Sequence, residues 1–544
     1  MLKEYTANNP VDVDIEVNIH TSKKGFYKGL NPTITIISKV IIVTLVLFAI
    51  VMPNKATEAL GIVNTALLST FNSYYIISVS LFLIFCLAMA LSPLGKIKLG
   101  QDRERPEFSN FSWFAMMFGA GMGIGLMFYS IGEPMYHFAG NPEVIKGAVS
   151  ANTADTVESA MRFSFLHWGL HAWGIYVSVG LAMAYFAYRL NLPLTIRSAL
   201  TPLFGDRLNG SLGHAIDIIA VVATVLGIST TVGTGVLQLI SGFESVTGAA
   251  WLLNDEGKPT STAMVLALLL VMGLSTLSAM TGVGKGVKWL SNINLTLSFI
   301  LLAVFIIFGS TGFAFSTYIS GLTDYLIELP AMSFTVWDRE SKLGQWQGSW
   351  TIYYWAWWIA FAPFVGLFLA RISRGRTIRE FVMGAMIIPT LMCAFWFALL
   401  GGTALDLELN GGANGSIIGS AIESQMFVTL QQLLPAEAAM AMSLMVILLI
   451  LTYLVTSADS GVLVLNTIMA GGNDQPGVSH RVIWGSILTL VVGSLMLAGG
   501  LSAIQTAMVI GALPFSVIMI LMCLGTLRSA FTRRQGARIQ TEPV

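Results

Sequence analysis

Apolar runs of about twenty residues recur along nearly the whole chain, and each is long enough to cross a bilayer's hydrocarbon core as a helix. Lipid offers a backbone no hydrogen-bond partner, so a run of this length without strand-like alternation has to satisfy its own amides, which only a helix does. Hydropathy marks about twelve such spans, at 34–52, 74–92, 111–132, 162–188, 214–240, 262–281, 289–310, 350–371, 379–402, 438–457, 482–500 and 504–527. The fold class expected is therefore an all-α membrane protein with twelve transmembrane helices. Composition agrees: 55% of residues are hydrophobic, 11% are charged and mean hydropathy is +0.74, far from the charged surface a soluble domain needs. The formal charge is zero and no basic patch occurs, so no nucleic acid is expected as a partner.

The positive-inside rule tests the count. Threaded from a cytoplasmic N-terminus, the inner connections hold Lys96, Lys98, Arg103, Arg105, Arg189, Arg197, Arg207, Lys285, Lys288, Arg371, Arg374, Arg376, Arg379 and Arg481, with Arg528, Arg533, Arg534 and Arg538 in the tail. The outer set keeps only Lys55, Lys146, Arg162, Lys258, Arg339 and Lys342. One missed or invented helix would invert the later half and destroy this bias. Both termini are thus expected in the cytoplasm of a bacterial inner or plasma membrane. The stretch Phe313–Leu329 reads as an amphipathic surface helix rather than a thirteenth span, because Asp324 and Glu328 stand four apart within it. Cys86, Cys393 and Cys523 each sit inside an apolar run, without the spacing of a metal or redox motif.

Two spans do not read as ordinary bundle helices. In the third, Gly119, Gly121, Gly123 and Gly125 alternate, at a cost of roughly 3–4 kcal/mol of helix propensity against alanine. Alternating glycines fall on every face, which suits unwound backbone better than a small-residue packing stripe. The eighth span carries Pro363, which removes a backbone hydrogen bond and is expected to break or kink the helix. Irregular backbone at membrane depth must line a cavity, and interrupted helices at matching positions of two halves point to a transporter's site. The third and eighth spans are the first members of two five-helix sets. An odd number of spans per half turns the second set upside down, giving a LeuT-type 5+5 inverted repeat preceded by two extra helices. The expected organisation is a cytoplasmic segment 1–33, two peripheral helices in 34–110, the first repeat 111–310, an extracytoplasmic amphipathic connection 311–349, the inverted second repeat 350–527 and a short cytoplasmic tail 528–544.

Tryptophans cluster around two of these spans: Trp168 and Trp173 in the fourth, Trp350, Trp355, Trp357 and Trp358 in the eighth. At 100° per residue Trp168, Trp173 and Tyr176 share one arc, and Trp357, Trp358, Phe361 and Phe364 another. A membrane-interface belt accounts for Trp350 and, less well, Trp355. Trp173, Tyr176 and Phe361 lie too deep for it. Aromatic faces hold quaternary ammonium groups at roughly 0.5–2 kcal/mol per contact, so these residues read as a substrate cage. Neither broken segment contains an acidic residue, and Glu133 follows the glycines toward the outside. A bare cation would need a fixed carboxylate, whereas a zwitterion brings its own, which amides freed at Gly121, Met122, Gly123 and Gly125 can bind. The expected substrate has an onium head and a carboxylate tail.

These residues resemble the betaine/choline/carnitine transporter family over about residues 30–528. The most specific stretches are Trp350-Thr-Ile-Tyr-Tyr-Trp-Ala-Trp-Trp-Ile-Ala-Phe-Ala-Pro-Phe-Val-Gly, then Leu369-Ala-Arg-Ile-Ser-Arg-Gly-Arg376, and His167-Trp168-Gly-Leu-His171-Ala-Trp173-Gly-Ile-Tyr176. The resemblance implies an aromatic box of Trp168, Trp173, Tyr176, Trp357, Trp358 and Phe361, with phenylalanine standing where members typically have tryptophan. Gly125 matches betaine carriers, since choline carriers tend to have aspartate there. It further implies a co-transported sodium ion held by carbonyls of Gly119, Met122 and Tyr453 and hydroxyls of Thr456 and Ser457. A second ion would fall at Thr224 and Phe364, although Ile228 stands where a second threonine belongs. Homotrimers are implied in the same way. The expected function is sodium-driven import of glycine betaine or a similar osmolyte such as dimethylsulfoniopropionate, with the small zwitterion, sodium and the lipid bilayer as partners and no other cofactor. The alternative is a proton-coupled choline/carnitine-type carrier or an exchanger. An enzyme is not expected: no nucleophile–base set occurs, and His167 and His171, at i and i+4, have no acidic neighbour in sequence that would complete a metal site.

Overall fold

The computed structural model describes residues 17–121, 123–281, 286–473 and 477–539. We number the longer helices α1 Pro32–Val51, α2 Pro53–Leu91, α3 Asn110–Gly121, α4 Ile124–Ala139, α5 Thr156–Trp168, α6 Leu170–Ala184, α7 Ser211–Thr247, α8 Ser261–Thr281, α9 Gly286–Phe308, α10 Thr311–Phe334, α11 Tyr353–Ile372, α12 Ile378–Leu409, α13 Ala436–Met469 and α14 Val478–Ile539. Local chemistry sets several ends. Asn31 accepts from the Ile34 amide ahead of Pro32, and Thr377 with Glu380 forms a capping box at the start of α12. Gly248 closes α7 in the left-handed conformation. Among the described residues, ten helical segments are long and apolar enough to cross a membrane.

α11 packs along α6, while α13 and α14 both pack on α7, and α4 lies among α5, α7 and α12. The core at these crossings is dense in aromatic and small residues, with Trp168, Trp173, Tyr176, Trp357 and Trp358 all buried. The residues facing outward on α1, α8 and α9 are large and apolar (Val40, Leu47, Leu269, Leu277, Ile307), as a lipid-facing surface requires. α10 packs on α5 and α12 and ties itself to α5 through the Asp324–Arg162 pair at 3.1 Å.

The helices refine the hydropathy spans at several points. α2 runs for 39 residues, roughly 58 Å, so residues 53–73 continue the second span rather than form a loop. Hydropathy marks where a chain is apolar, not where its helix stops. The third span is interrupted between Gly121 and Ile124. The fourth, which carried no expectation of a break, is interrupted at Gly169, where φ is −96° and ψ is −141°. The eighth is a correction: α11 passes through Pro363 without a break. A proline forfeits one amide donor, a loss that packed neighbours on both sides can absorb. α14 changes course at Gly499 and Gly500, the latter at φ 66° and ψ −155°, between the stretches 482–500 and 504–527.

Candidate substrate and ion site

The interruption before Ile124 leaves Gly123 in open space and puts Gly125 against bare aromatic rings. A Cβ on Gly125 would lie 2.6 Å from the Trp168 ring and 3.3 Å from that of Trp357, so both indoles rest on backbone. The start of α3 is held from below: Trp113 Nε1 donates to Ser373 Oγ at 3.0 Å, and the Arg376 guanidinium lies 3.8 Å over the Trp113 ring. Gly169 lets Tyr325 of α10 approach, and its hydroxyl accepts from the Leu170 amide at 2.9 Å, capping α6. The two breaks thus bring Trp168 to the end of one helix and Trp173 to the first turn of the next.

Around one stacked pair the other rings meet at steep angles. Trp357 and Trp358 stack at 5.1 Å and 8°. Trp168 stands edge-on to Trp358 at 4.9 Å and 76°, Tyr176 at 5.8 Å and 76°. Trp173 meets Tyr176 at 5.6 Å, and Phe361 meets Phe364 at 5.1 Å and 87°. Phe361 fits beside α7 because Gly227 has no side chain there, a Cβ being 3.2 Å from its ring. Perpendicular rings present several π-faces to one space, the arrangement that surrounds a methylated onium group. That space is a cavity of about 600 Å³. Trp168, Trp173, Tyr176, Trp357, Trp358, Phe361, Phe364, Gly123 and Gly125 all line it.

The same cavity reaches Gly119, Tyr453, Thr456, Ser457 and Ser460. Thr456 Oγ1 back-bonds to the carbonyls of Thr452 and Tyr453 at 3.0 and 3.1 Å, and accepts from Asn294 Nδ2 at 3.2 Å. Asn294, which the sequence gave no reason to single out, therefore belongs to this region, and its own Oδ1 is buried without a hydrogen-bond partner. Of the remaining expected residues, Gly121 ends α3 and Met122 lies outside the described residues. Thr224 is buried, donates to the Ala220 carbonyl at 2.7 Å and does not line the cavity, and Ile228 packs on Gly461. Of the pair proposed for a second ion, only Phe364 reaches the space.

Glu133 corrects the expectation that the cage has no fixed carboxylate. On α4, residues 126, 129, 133 and 137 share one stripe, and from it Tyr129 reaches Tyr353 of α11 while Glu133 reaches both α5 and α11. Glu133 is fully buried. Its Oε2 accepts from Trp168 Nε1 at 2.7 Å and from the Tyr354 hydroxyl at 2.6 Å. Its Oε1 faces His167 Nδ1 at 2.5 Å and His137 Nε2 at 3.2 Å. The carboxylate thus sits behind a cage wall, with the indole between it and the cavity. No local signal marks it, because the pairing joins residues 35 apart on different helices.

The histidines also depart from expectation. His167 has an acidic partner, while His171 turns away to Ser333 Oγ at 3.0 Å, so the two do not converge. Glu133, His137 and His167 do place ligand atoms within 4.8 Å of one another. Two ligands of one zinc ion stand roughly 3.3 Å apart, further than the 2.5 Å contact of Glu133 with His167, which is a hydrogen bond. Trp355 is not a belt residue: it is buried, with its ring 5.3 Å from that of His171. Trp350 is half-buried against His137 at 4.7 Å.

The family model for betaine/carnitine/choline transporters matches residues 33–535. The chain is 38% identical over 491 residues to the glycine betaine transporter OpuD of Bacillus subtilis, covering 90% of this chain and 92% of that one. It is 38% identical over 501 residues to a probable glycine betaine transporter of Desulfitobacterium hafniense, covering 91% and 97%. The osmo-independent choline transporter BetT1 of Acinetobacter baylyi is also 38% identical, over 502 residues, covering 91% and 92%. These matches span the cage, the glycine segment and the hydroxyls of α13 alike, and the chain is a membrane transporter belonging to the betaine/carnitine/choline family.

Proposed function

We propose that this protein imports a small zwitterion with a methylated onium head, glycine betaine or a close relative such as dimethylsulfoniopropionate, together with sodium. The reading rests on one observation above the rest: aromatic faces, a glycine break and paired hydroxyls line a single cavity. The onium group lies among Trp168, Trp173, Tyr176, Trp357, Trp358 and Phe361, each face contributing roughly 0.5–2 kcal/mol. The carboxylate meets amides of the glycine segment at the N-terminal end of α4, where the helix dipole is positive. Sodium takes carbonyls of Gly119, Met122 and Tyr453 with the hydroxyls of Thr456 and Ser457, a hard-oxygen set.

A zwitterion carries no net charge, so the ion supplies the drive. A 100 mV potential gives about 2.3 kcal/mol per ion, and a tenfold gradient about 1.4 kcal/mol more. One sodium then sustains roughly 500-fold accumulation. Architecturally, the interrupted pair α3–α4 counts as one span and the bend in α14 separates two, which brings the ten long segments to the twelve of an inverted 5+5 repeat with two helices in front. The basic residues at the connections favour cytoplasmic termini in a bacterial membrane, and trimers are proposed on family grounds.

Uptake of labelled glycine betaine into proteoliposomes, with and without an imposed sodium gradient, tests this. Saturable uptake stimulated by sodium and competed by other onium zwitterions is expected. Uptake indifferent to sodium would overturn the symport reading. A second reading, a choline-type carrier, is favoured by the Glu133 carboxylate behind Trp168 and predicts that choline competes better than glycine betaine.

A further inference from the structure

We infer that Glu133 is a positioning residue for the cage, which fixes the Trp168 indole and lends the cavity a negative potential without touching the substrate. The inference rests on the cavity's being an onium site, and it explains how one site serves a zwitterion while keeping a buried carboxylate. A carboxylate exposed in the cavity would attract the onium head but repel the substrate's own carboxylate. A carboxylate behind the ring reaches the head through the indole and is kept from the tail by it.

The geometry is specific. Trp168 Nε1–H can only donate, and it does so to Oε2 at 2.7 Å. The Tyr354 hydroxyl donates to the same oxygen at 2.6 Å. Oε1 is held by His167 Nδ1, whose Nε2 is anchored in turn on Thr351 Oγ1 at 3.0 Å. His137 faces the carboxylate across the 3.2 Å contact from its own helix, and the hydroxyls of Tyr129 and Tyr353, bonded to each other at 3.0 Å, lie close by. A negative charge at an indole N–H edge deepens the ring's electron-rich face, and in this dry setting the charge itself is weakly screened. The indole cannot swing away without leaving its buried Nε1–H unpaired and taking one donor from the carboxylate. Its far edge is also what a Cβ at Gly125 would strike, so Glu133 and Gly125 hold the same ring from opposite sides.

The test separates field from mere support. Choline and 3,3-dimethylbutan-1-ol share a shape, differ by one positive charge, and neither carries a carboxylate. Inhibition of glycine betaine uptake by each is measured for the full-length protein and for Glu133→Gln in proteoliposomes. Wild type should prefer choline over the carbon isostere. Glu133→Gln should cut that preference at least fivefold while the isostere's inhibition constant moves less than twofold. Equal weakening of both, or a wild type that does not distinguish them, would overturn the inference. Tyr354→Phe covers the case in which Glu133→Gln does not fold: it removes a donor but leaves the charge, so the preference should hold or rise, and a fall would count against the field. A wild type that takes up no glycine betaine would instead sink the reading of the cavity itself.

Discussion

The interrupted segment between α3 and α4 and the unbroken helix α11 face each other across one cavity, yet they meet the same demand in opposite ways. Around Gly123 the helix stops and its backbone is available to a ligand. Around Pro363 the helix continues and meets the cavity with side chains, most of them rings. The pattern extends across the described residues: Pro134, Pro363, Pro389 and Pro514 all run inside helices, while the interruptions fall next to Gly123, at Gly169 and at Gly499–Gly500. Proline removes one donor and leaves its neighbours helical, a local loss that lateral packing absorbs. Glycine permits backbone angles closed to other residues, as at Gly500, and leaves room for a ring to lie against the main chain. Among the described residues, the breaks inside the third and fourth spans and the bend in α14 fall at glycine, while the prolines inside helices leave them continuous.

The sharpest way to break that comparison is to add one methyl group to each side. Gly125→Ala should raise the half-saturation concentration for glycine betaine by tenfold or more, because its Cβ would meet a Trp168 indole that Glu133 holds in place. A change below twofold would mean that the ring yields easily. Alanine in place of both Thr456 and Ser457 should abolish sodium stimulation almost completely, since it strips two oxygens from the cavity's lining. Retained stimulation would move the ion elsewhere. On the unbroken helix, Trp358→Ala should cost about tenfold in half-saturation, one cage wall at roughly 1–2 kcal/mol. Trp350→Ala should cost much less, and equal losses would dissolve the cage assignment. Pro363→Ala, in a helix that is already continuous, should leave uptake within about threefold of wild type. A collapse of transport would show that the proline supplies a hinge the cavity needs. The smallest effect belongs to Thr224→Ala: Thr224 bonds its own helix away from the cavity, so the sodium dependence should keep a Hill coefficient near one. A coefficient above one that this change abolishes would reinstate a second ion there.

Much of the site was readable along the chain because its signals are local. Trp173 and Tyr176 share one arc at helical spacing, as do Trp357, Trp358 and Phe361, and arcs on long apolar helices must face protein or lipid, whereas Trp168 joins them across the break at Gly169. The four alternating glycines announced an interruption by their propensity alone. Pro363 misled for the same reason: its local cost is real, but neighbouring helices absorb it. Thr224 misled through resemblance, since matching a position does not say which way its hydroxyl turns.

What the sequence determined by itself was the solvent and the period: apolar runs of membrane length, the bias of basic residues, the glycine interruption and the aromatic arcs. These depend only on residue type and spacing, which lipid and helix geometry read directly. What the tertiary structure decided was every partnership across helices. Glu133 behind Trp168, Asn294 on Thr456, Tyr325 capping α6 at Gly169 and the turning of His171 toward Ser333 each join residues remote in the chain. Their pairing follows from which helices lie side by side, and the buried carboxylate shows why that matters. Read along the chain, Glu133 is one acidic residue past a glycine break; packed between α5 and α11, it becomes the carboxyl group behind the Trp168 ring.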